Sequence, residues 1–179
     1  MMKQEEILIN NWNKLIDLIK NTFSGDRQLS MLKMYEYFKD RMMFTPASSH
    51  DYFHNCFPGG YVDHVLNIVQ YAREIKDLWY NNGAKIDYTD EELIFAAMHH
   101  DLGKVGDMEN DHYQPNPSEW HRKNQGKIYT TNPDIQFMTP PDRAIWILNQ
   151  FGIKMSVNEM LGIKLADGMY DDGNTQYLK

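Results

Sequence analysis

Apolar residues in this chain return at three- and four-residue steps along most of its length, and that period calls for helices packed on one another. Leu8, Trp12, Leu15, Ile19 and Phe23 mark an amphipathic helix from about residue 4 to 22, broken by Ser24-Gly25-Asp26. Leu32, Tyr35, Phe38 and Met42 carry a second, which Thr45-Pro46-Ala47-Ser48-Ser49 ends. After Pro58-Gly59-Gly60, the residues Val62, Val65, Leu66, Val69, Ala72, Ile75 and Trp79 predict a third helix with one apolar face, closed by Asn81-Asn82-Gly83. Thr89 and Glu92 stand at capping-box spacing before the apolar run 93–98, which leads into His99-His100-Asp101-Leu102-Gly103-Lys104. Thr139-Pro140-Pro141 opens a fifth helix ending at Gly152, and the Ser156/Glu159 box opens a sixth that ends near Asp167-Gly168.

Between about 105 and 138 the period fails, with Pro115, Pro117 and Pro133 among scattered polar residues. That stretch predicts a long irregular loop, of the kind that usually carries function. No strand alternation, internal repeat or linker stands out. The expected architecture is one compact all-α domain, consistent with 179 residues of which 42% are hydrophobic and 13% aromatic.

The net charge of −7, from 18 basic and 25 acidic side chains, disfavours a long nucleic acid, whose phosphates are held mainly by surplus Lys and Arg. A small phosphorylated substrate needs only a local positive pocket. The opening residues turn acidic where a signal peptide becomes apolar, and no run approaches the roughly 18 apolar residues of a membrane span. A cytoplasmic protein with no membrane partner is expected.

Cys56 is the only cysteine, so an internal disulfide and zinc sites of paired thiolates are excluded. All seven histidines fall between His50 and His121. Among them, His100 stands beside Asp101 at the end of an apolar helix, where burying an imidazole next to a carboxylate is costly unless each finds a partner. A metal ion would satisfy both. Such ligands suit Mn, Fe, Co, Ni or Zn, with Mg a further option, as one or two ions. His64, on the third helix, could approach from the side.

The segments Pro58-Gly59-Gly60-Tyr61-Val62-Asp63-His64-Val65-Leu66 and Ala96-Ala97-Met98-His99-His100-Asp101-Leu102-Gly103-Lys104 resemble the HD-domain superfamily of metal-dependent phosphohydrolases. The resemblance spans roughly residues 45 to 170. It implies an HD-like helical domain over 45–179, with 1–44 as a helical embellishment packed on the core. It makes His64, His100 and Asp101 metal ligands. Asp167 becomes the last ligand, although Ala166 stands where many relatives carry His, and Asp171 and Asp172 are the substitutes. Asp101 would also orient the attacking water. Lys104, one turn beyond His100 if the helix continues, would meet a substrate phosphate. His54 matches a histidine of some family branches and would bind phosphate or orient a ligand. His99 is either a packed residue or a second-metal ligand.

What the resemblance implies is hydrolysis of a nucleotide or related phosphate mono- or diester by a metal-activated water. Arg122, Lys123 and Lys127, against Glu119 and beside Trp120 and Tyr129, form a small basic island that could neutralise phosphates and stack a base as a lid. Two other functions fit the same residues: an HD-fold diiron oxygenase, with His99 and His54 serving a second iron, and a noncatalytic nucleotide-binding or regulatory module.

Overall fold

The computed structural model describes residues 2–177, and it is mostly helical. Helices α1 (Met2–Thr22) and α2 (Gly25–Phe44) form a hairpin, broken at Gly25, whose φ of +61° suits a residue without a Cβ. The periodic residues Trp12, Leu15, Ile19 and Phe23 on α1 and Met31, Met34, Tyr35, Phe38 and Met42 on α2 are buried. They belong to the same core cluster as residues of α3 (Gly60–Asn81), α4 (Asp90–His99), α6 (Pro140–Gln150) and α7 (Val157–Lys164). The described part of the segment 1–44, expected to pack on the core, contributes the buried faces of α1 and α2 to that cluster.

Helix α3 packs against α1, α2 and α4, and α4 packs in turn against α7. Both capping boxes form: Thr89 Oγ1 accepts the Glu92 N–H and Ser156 Oγ accepts the Glu159 N–H, while each glutamate returns to the backbone N–H of its cap. Gly162 lets α7 approach α4, since a Cβ there would lie 2.7 Å from that of Ala96.

The sequence expectations need correction at three places. The stretch 105–138 is ordered into an antiparallel ribbon, β1 (Tyr113–Pro115) with β2 (Tyr129–Thr131), enclosing a short helix α5 (Glu119–Gln125). Three-residue strands and a seven-residue helix are too short to display their periods. The ribbon is sewn to the 45–57 loop by Tyr129 N–H to Ser49 O at 3.0 Å and Asp51 N–H to Gly126 O at 2.8 Å. The last α-helix stops at Lys164, and two 3-10 turns follow, Gly168–Tyr170 and Asp172–Tyr177. On α3, Val62, Val65 and Val69 are buried, but Ile75 and Trp79 stand more than half exposed, off the angular position of those three valines. Among the described residues no helix is long and apolar enough to cross a membrane.

Candidate metal centre

Two helix ends bring the chemistry together. His64 lies in the second turn of α3, while α4 stops at His99 and delivers His100 and Asp101 into a 3-10 turn, Leu102–Val105, closed by Lys104 N–H to Asp101 O at 2.9 Å. His64 Nε2 lies 3.1 Å from His100 Nε2 and 3.4 Å from Asp101 Oδ2, and the third side, His100 Nε2 to Asp101 Oδ2, is 3.5 Å. Three ligand atoms on one ion at about 2.0–2.1 Å stand roughly 3.0–3.4 Å apart in octahedral or tetrahedral geometry. The triangle fits that requirement.

The local chemistry supports the same fit. His100 Nδ1–H donates to Ala97 O at 2.8 Å, which leaves its Nε2 lone pair facing the cluster. Burial, the largest influence, lowers the His100 pKa and keeps the ring neutral. Burial alone would raise the Asp101 carboxyl, but the His64 hydrogen bond and the Lys104 and His100 charges outweigh it and hold the group far below the usual carboxylate range. A neutral imidazole beside an ionised carboxylate is what a divalent ion needs of its ligands.

His54 approaches from the 45–57 loop. Its ring lies on that of His64, centroids 4.4 Å apart, and the ligand atoms of His54, His64 and Asp101 all fall within 4.8 Å of one another. This second, wider group shares two members with the tight triangle and puts His54 where it could serve as a fourth donor. Burial, then the neighbouring His64 and Lys104, lowers its pKa. Asn55 holds His54 in place: it adopts φ +51° while its amide donates to Asp63 Oδ2 at 2.9 Å and to Gly60 O at 3.3 Å.

Lys104 is placed differently from the sequence expectation, because the α-helix does not continue past His99. Its ammonium donates to Asp101 Oδ2 at 2.7 Å and to Ala47 O at 3.1 Å, leaving one N–H uncommitted. His99 is a packed residue: Nδ1–H donates to Phe95 O at 2.7 Å and Nε2 faces the Tyr35 hydroxyl at 3.3 Å. Asp167 stands exposed between α7 and the following turn and makes no hydrogen bond or ion pair with His64, His100 or Asp101. Asp171 Oδ1 accepts Gly173 N–H within its own turn, and Asp172 begins the next one.

The basic island is largely occupied with itself. Arg122 donates to the Asn116 carbonyl, Lys123 pairs with Glu119 at 2.5 Å on the surface, and Lys127 contributes a backbone bridge to His50. Trp120 is exposed and Tyr129 half-buried.

Residues with no motif complete the surroundings. Arg143, 1% exposed, donates to Gly103 O at 3.1 Å, to His112 Nδ1 at 2.9 Å and to Gln136 O at 2.9 Å, tying the turn after Asp101 to the ribbon segment. The Tyr61 hydroxyl is buried without a hydrogen-bond partner among the described residues, and burial first, then Tyr35 and Asp101, raises its pKa. An arginine in an apolar helix face was the one visible sign of Arg143; nothing in the sequence distinguished Tyr61.

No family, no curated protein and no solved structure matches this chain.

Proposed function

We propose that this chain is a metal-dependent phosphohydrolase of the HD type, acting on a nucleotide or a related phosphate mono- or diester. The observation that carries the reading is the 3.1, 3.4 and 3.5 Å triangle of His64 Nε2, His100 Nε2 and Asp101 Oδ2 at the junction of α3 and α4. These three residues would hold the ion, with His54 the adjacent donor. A bound divalent cation lowers the pKa of its water toward about 7 and polarises the phosphoryl oxygen it touches.

The protein's own groups supply the rest. Asp101 remains ionised and accepts hydrogen bonds, so its carboxylate orients a water beside the cluster. The third N–H of Lys104 is the donor available to a phosphoryl oxygen, and the bonds to Asp101 and Ala47 fix where that N–H sits. His54 closes the open side, where its neutral ring can bind phosphate or a proton. Arg122 and Lys123 would contribute only by leaving their present partners, whereas Lys127 bonds its neighbours through its backbone. Asp167 would need a rearrangement of the turn after α7 to join. An oxygenase with a second iron draws no support from His99, whose two ring nitrogens are committed to Phe95 and Tyr35.

The test is calorimetric titration with Mn and Zn near neutral pH, followed by a nucleotide and phosphodiester hydrolysis screen with Mn, Co, Ni, Mg and Zn. His100→Ala should weaken metal binding and hydrolysis by at least about 100-fold, since disturbing only the partners of such ligands already costs 10–100-fold. Equal turnover by wild type and His100→Ala would remove the centre from the reaction. Metal binding without turnover on any substrate would leave a regulatory module instead.

A further inference from the structure

The loop that brings His54 to the cluster also exposes a group of aromatic rings. Tyr52 and Phe53 are 66% and 53% exposed, and His50 stands half-buried beside them. Phe53 N–H donates to His50 O at 3.0 Å, closing a turn that gathers the three rings. Their centroids lie 5.2 Å apart for His50 and Tyr52, 5.4 Å for His50 and Phe53, and 4.7 Å for Tyr52 and Phe53. The turn is held from both sides. Asp51 N–H donates to Gly126 O at 2.8 Å and His50 bridges to Lys127 through the backbone, while beyond the rings Asn55 donates to Asp63 Oδ2 at 2.9 Å. Gly126 packs so closely that a Cβ there would meet Asp51 Oδ1 at 2.0 Å. Exposed rings on a turn anchored in this way form a preorganised platform, whose ordering cost is met in folding and not on binding.

We infer that the base of the substrate stacks on this platform while its phosphate lies at the His64, His100 and Asp101 cluster. The inference rests on the reading of that cluster as a phosphoryl centre. Three observations favour a base as the occupant. Phe53 directly precedes His54, so their Cα atoms stand about 3.8 Å apart. The His54 ring in turn lies 4.4 Å from that of His64, which puts the platform beside the cluster, within the reach of one nucleotide from phosphate to base. The surface on offer is made of ring faces and edges, and every base has a π face to stack on them. Lys127, fixed next to His50 by the bridge, has no hydrogen bond or ion pair for its ammonium among the described residues, which leaves a cation beside the rings for a phosphate oxygen. Asp51, packed on the neighbouring Gly126, balances that charge, so the patch has no cationic surplus to draw an anionic lipid surface.

The substrate is therefore a base-bearing phosphate and not a plain sugar phosphate. One base–aromatic stack should make the difference in affinity between them about 5- to 100-fold.

Adenosine 5′-monophosphate and ribose 5-phosphate, titrated separately into the full chain with EDTA and again with Mn, test it. Nuclear magnetic resonance follows the ring signals of Tyr52 and Phe53, and calorimetry follows affinity. Adenosine 5′-monophosphate should shift both sets of ring signals in either condition, and ribose 5-phosphate should shift neither. Phe53→Ala should weaken binding of adenosine 5′-monophosphate about 5- to 100-fold, with Mn affinity and the far-ultraviolet circular dichroism spectrum unchanged. Tyr80→Ala, which removes a comparably exposed ring on α3, should leave that binding as it is. Adenosine 5′-monophosphate that moves neither set of signals, or that binds Phe53→Ala as tightly as wild type, overturns the inference even where metal binding and turnover hold. So does co-flotation with phosphatidylcholine vesicles that Phe53→Ala abolishes, which would assign the rings to a lipid surface. Equal turnover by wild type and His100→Ala, with the ring shifts intact, would instead overturn the proposed reaction and keep the base platform.

Discussion

Asn55 is the only non-glycine residue with positive φ among those described, and its environment explains why the strain is tolerated. Its side chain bonds Asp63 and Gly60, and its carbonyl accepts the Ala47 N–H at 3.1 Å and the Phe57 N–H at 2.9 Å. Gly60 must lack a Cβ because one would lie 2.0 Å from that carbonyl. Replacing Asn55 by Ala keeps the backbone strain and removes both side-chain bonds, so it should cost about 1–3 kcal/mol in urea denaturation. Asn55→Gly relieves the strain and should cost less; an Ala variant as stable as wild type would contradict this account. Gly103 shows the same dependence on context. Its φ is not positive, and the constraint on it is Pro140 O, which a Cβ would approach to 2.1 Å. No local pattern can reveal a contact 37 residues away.

At the scale of elements, the two capping boxes are joined into one device. Glu92 Oε2 accepts the Thr89 N–H at 2.9 Å, while its Oε1 accepts from Ser156 Oγ at 2.6 Å and Asn158 Nδ2 at 3.3 Å. The Ser156 hydroxyl, then the Thr89 N–H, pulls the Glu92 pKa down to about 2. The starts of α4 and α7 are thereby pinned together, which sets where α4 ends and where His100 and Asp101 are delivered. Ser156→Ala should lose about 1 kcal/mol of stability from its own cap. Because it also breaks the link to Glu92, combining it with Glu92→Gln should cost less than the sum of the single losses. Additive losses in a denaturation cycle would mean the boxes act separately. Each box was legible because it is a four-residue pattern; their junction was not, because it spans 64 residues. The ribbon of β1 and β2 escaped notice for a related reason: its strands are three residues long and held by the 45–57 loop.

At the scale of the whole molecule, away from the His64–His100–Asp101 cluster, His99 and His112 are kept neutral by the surroundings the fold builds. Burial, then the charge of Arg27, lowers the His99 pKa to about 3, against the raising effect of its bond to Phe95 O. Burial, then Arg143 and Lys104, lowers that of His112 to about 4. A histidine depressed in the native state leaves the unfolded chain holding more protons, so its contribution is complete above about pH 6.5 and is lost as pH falls toward the native value. Each such site costs up to about 1.4 kcal/mol per pH unit over that window. Urea midpoints should fall between pH 7 and pH 5, and His112→Gln, whose amide oxygen can still accept from Arg143, should fall less steeply. A wild-type midpoint that does not move over this range would show that neither ring is protected from protonation.

The sequence by itself determined the helices, their caps and the placement of His100 and Asp101 at a helix end, because period and capping are written within one or two turns of chain. The resemblance carried by two short segments also picked out His64, and the three residues do converge. Only the tertiary structure decided the distances among them, the commitment of Lys104 to Asp101 and Ala47, the exclusion of His99, and the buried Arg143 behind the turn. Those depend on packing between segments far apart in the chain, where burial and neighbouring charge set what each side chain can donate or accept. The outer half of α3 makes the same point in reverse. Its apolar period predicts burial, yet Ile75 and Trp79 stay more than half exposed among the described residues.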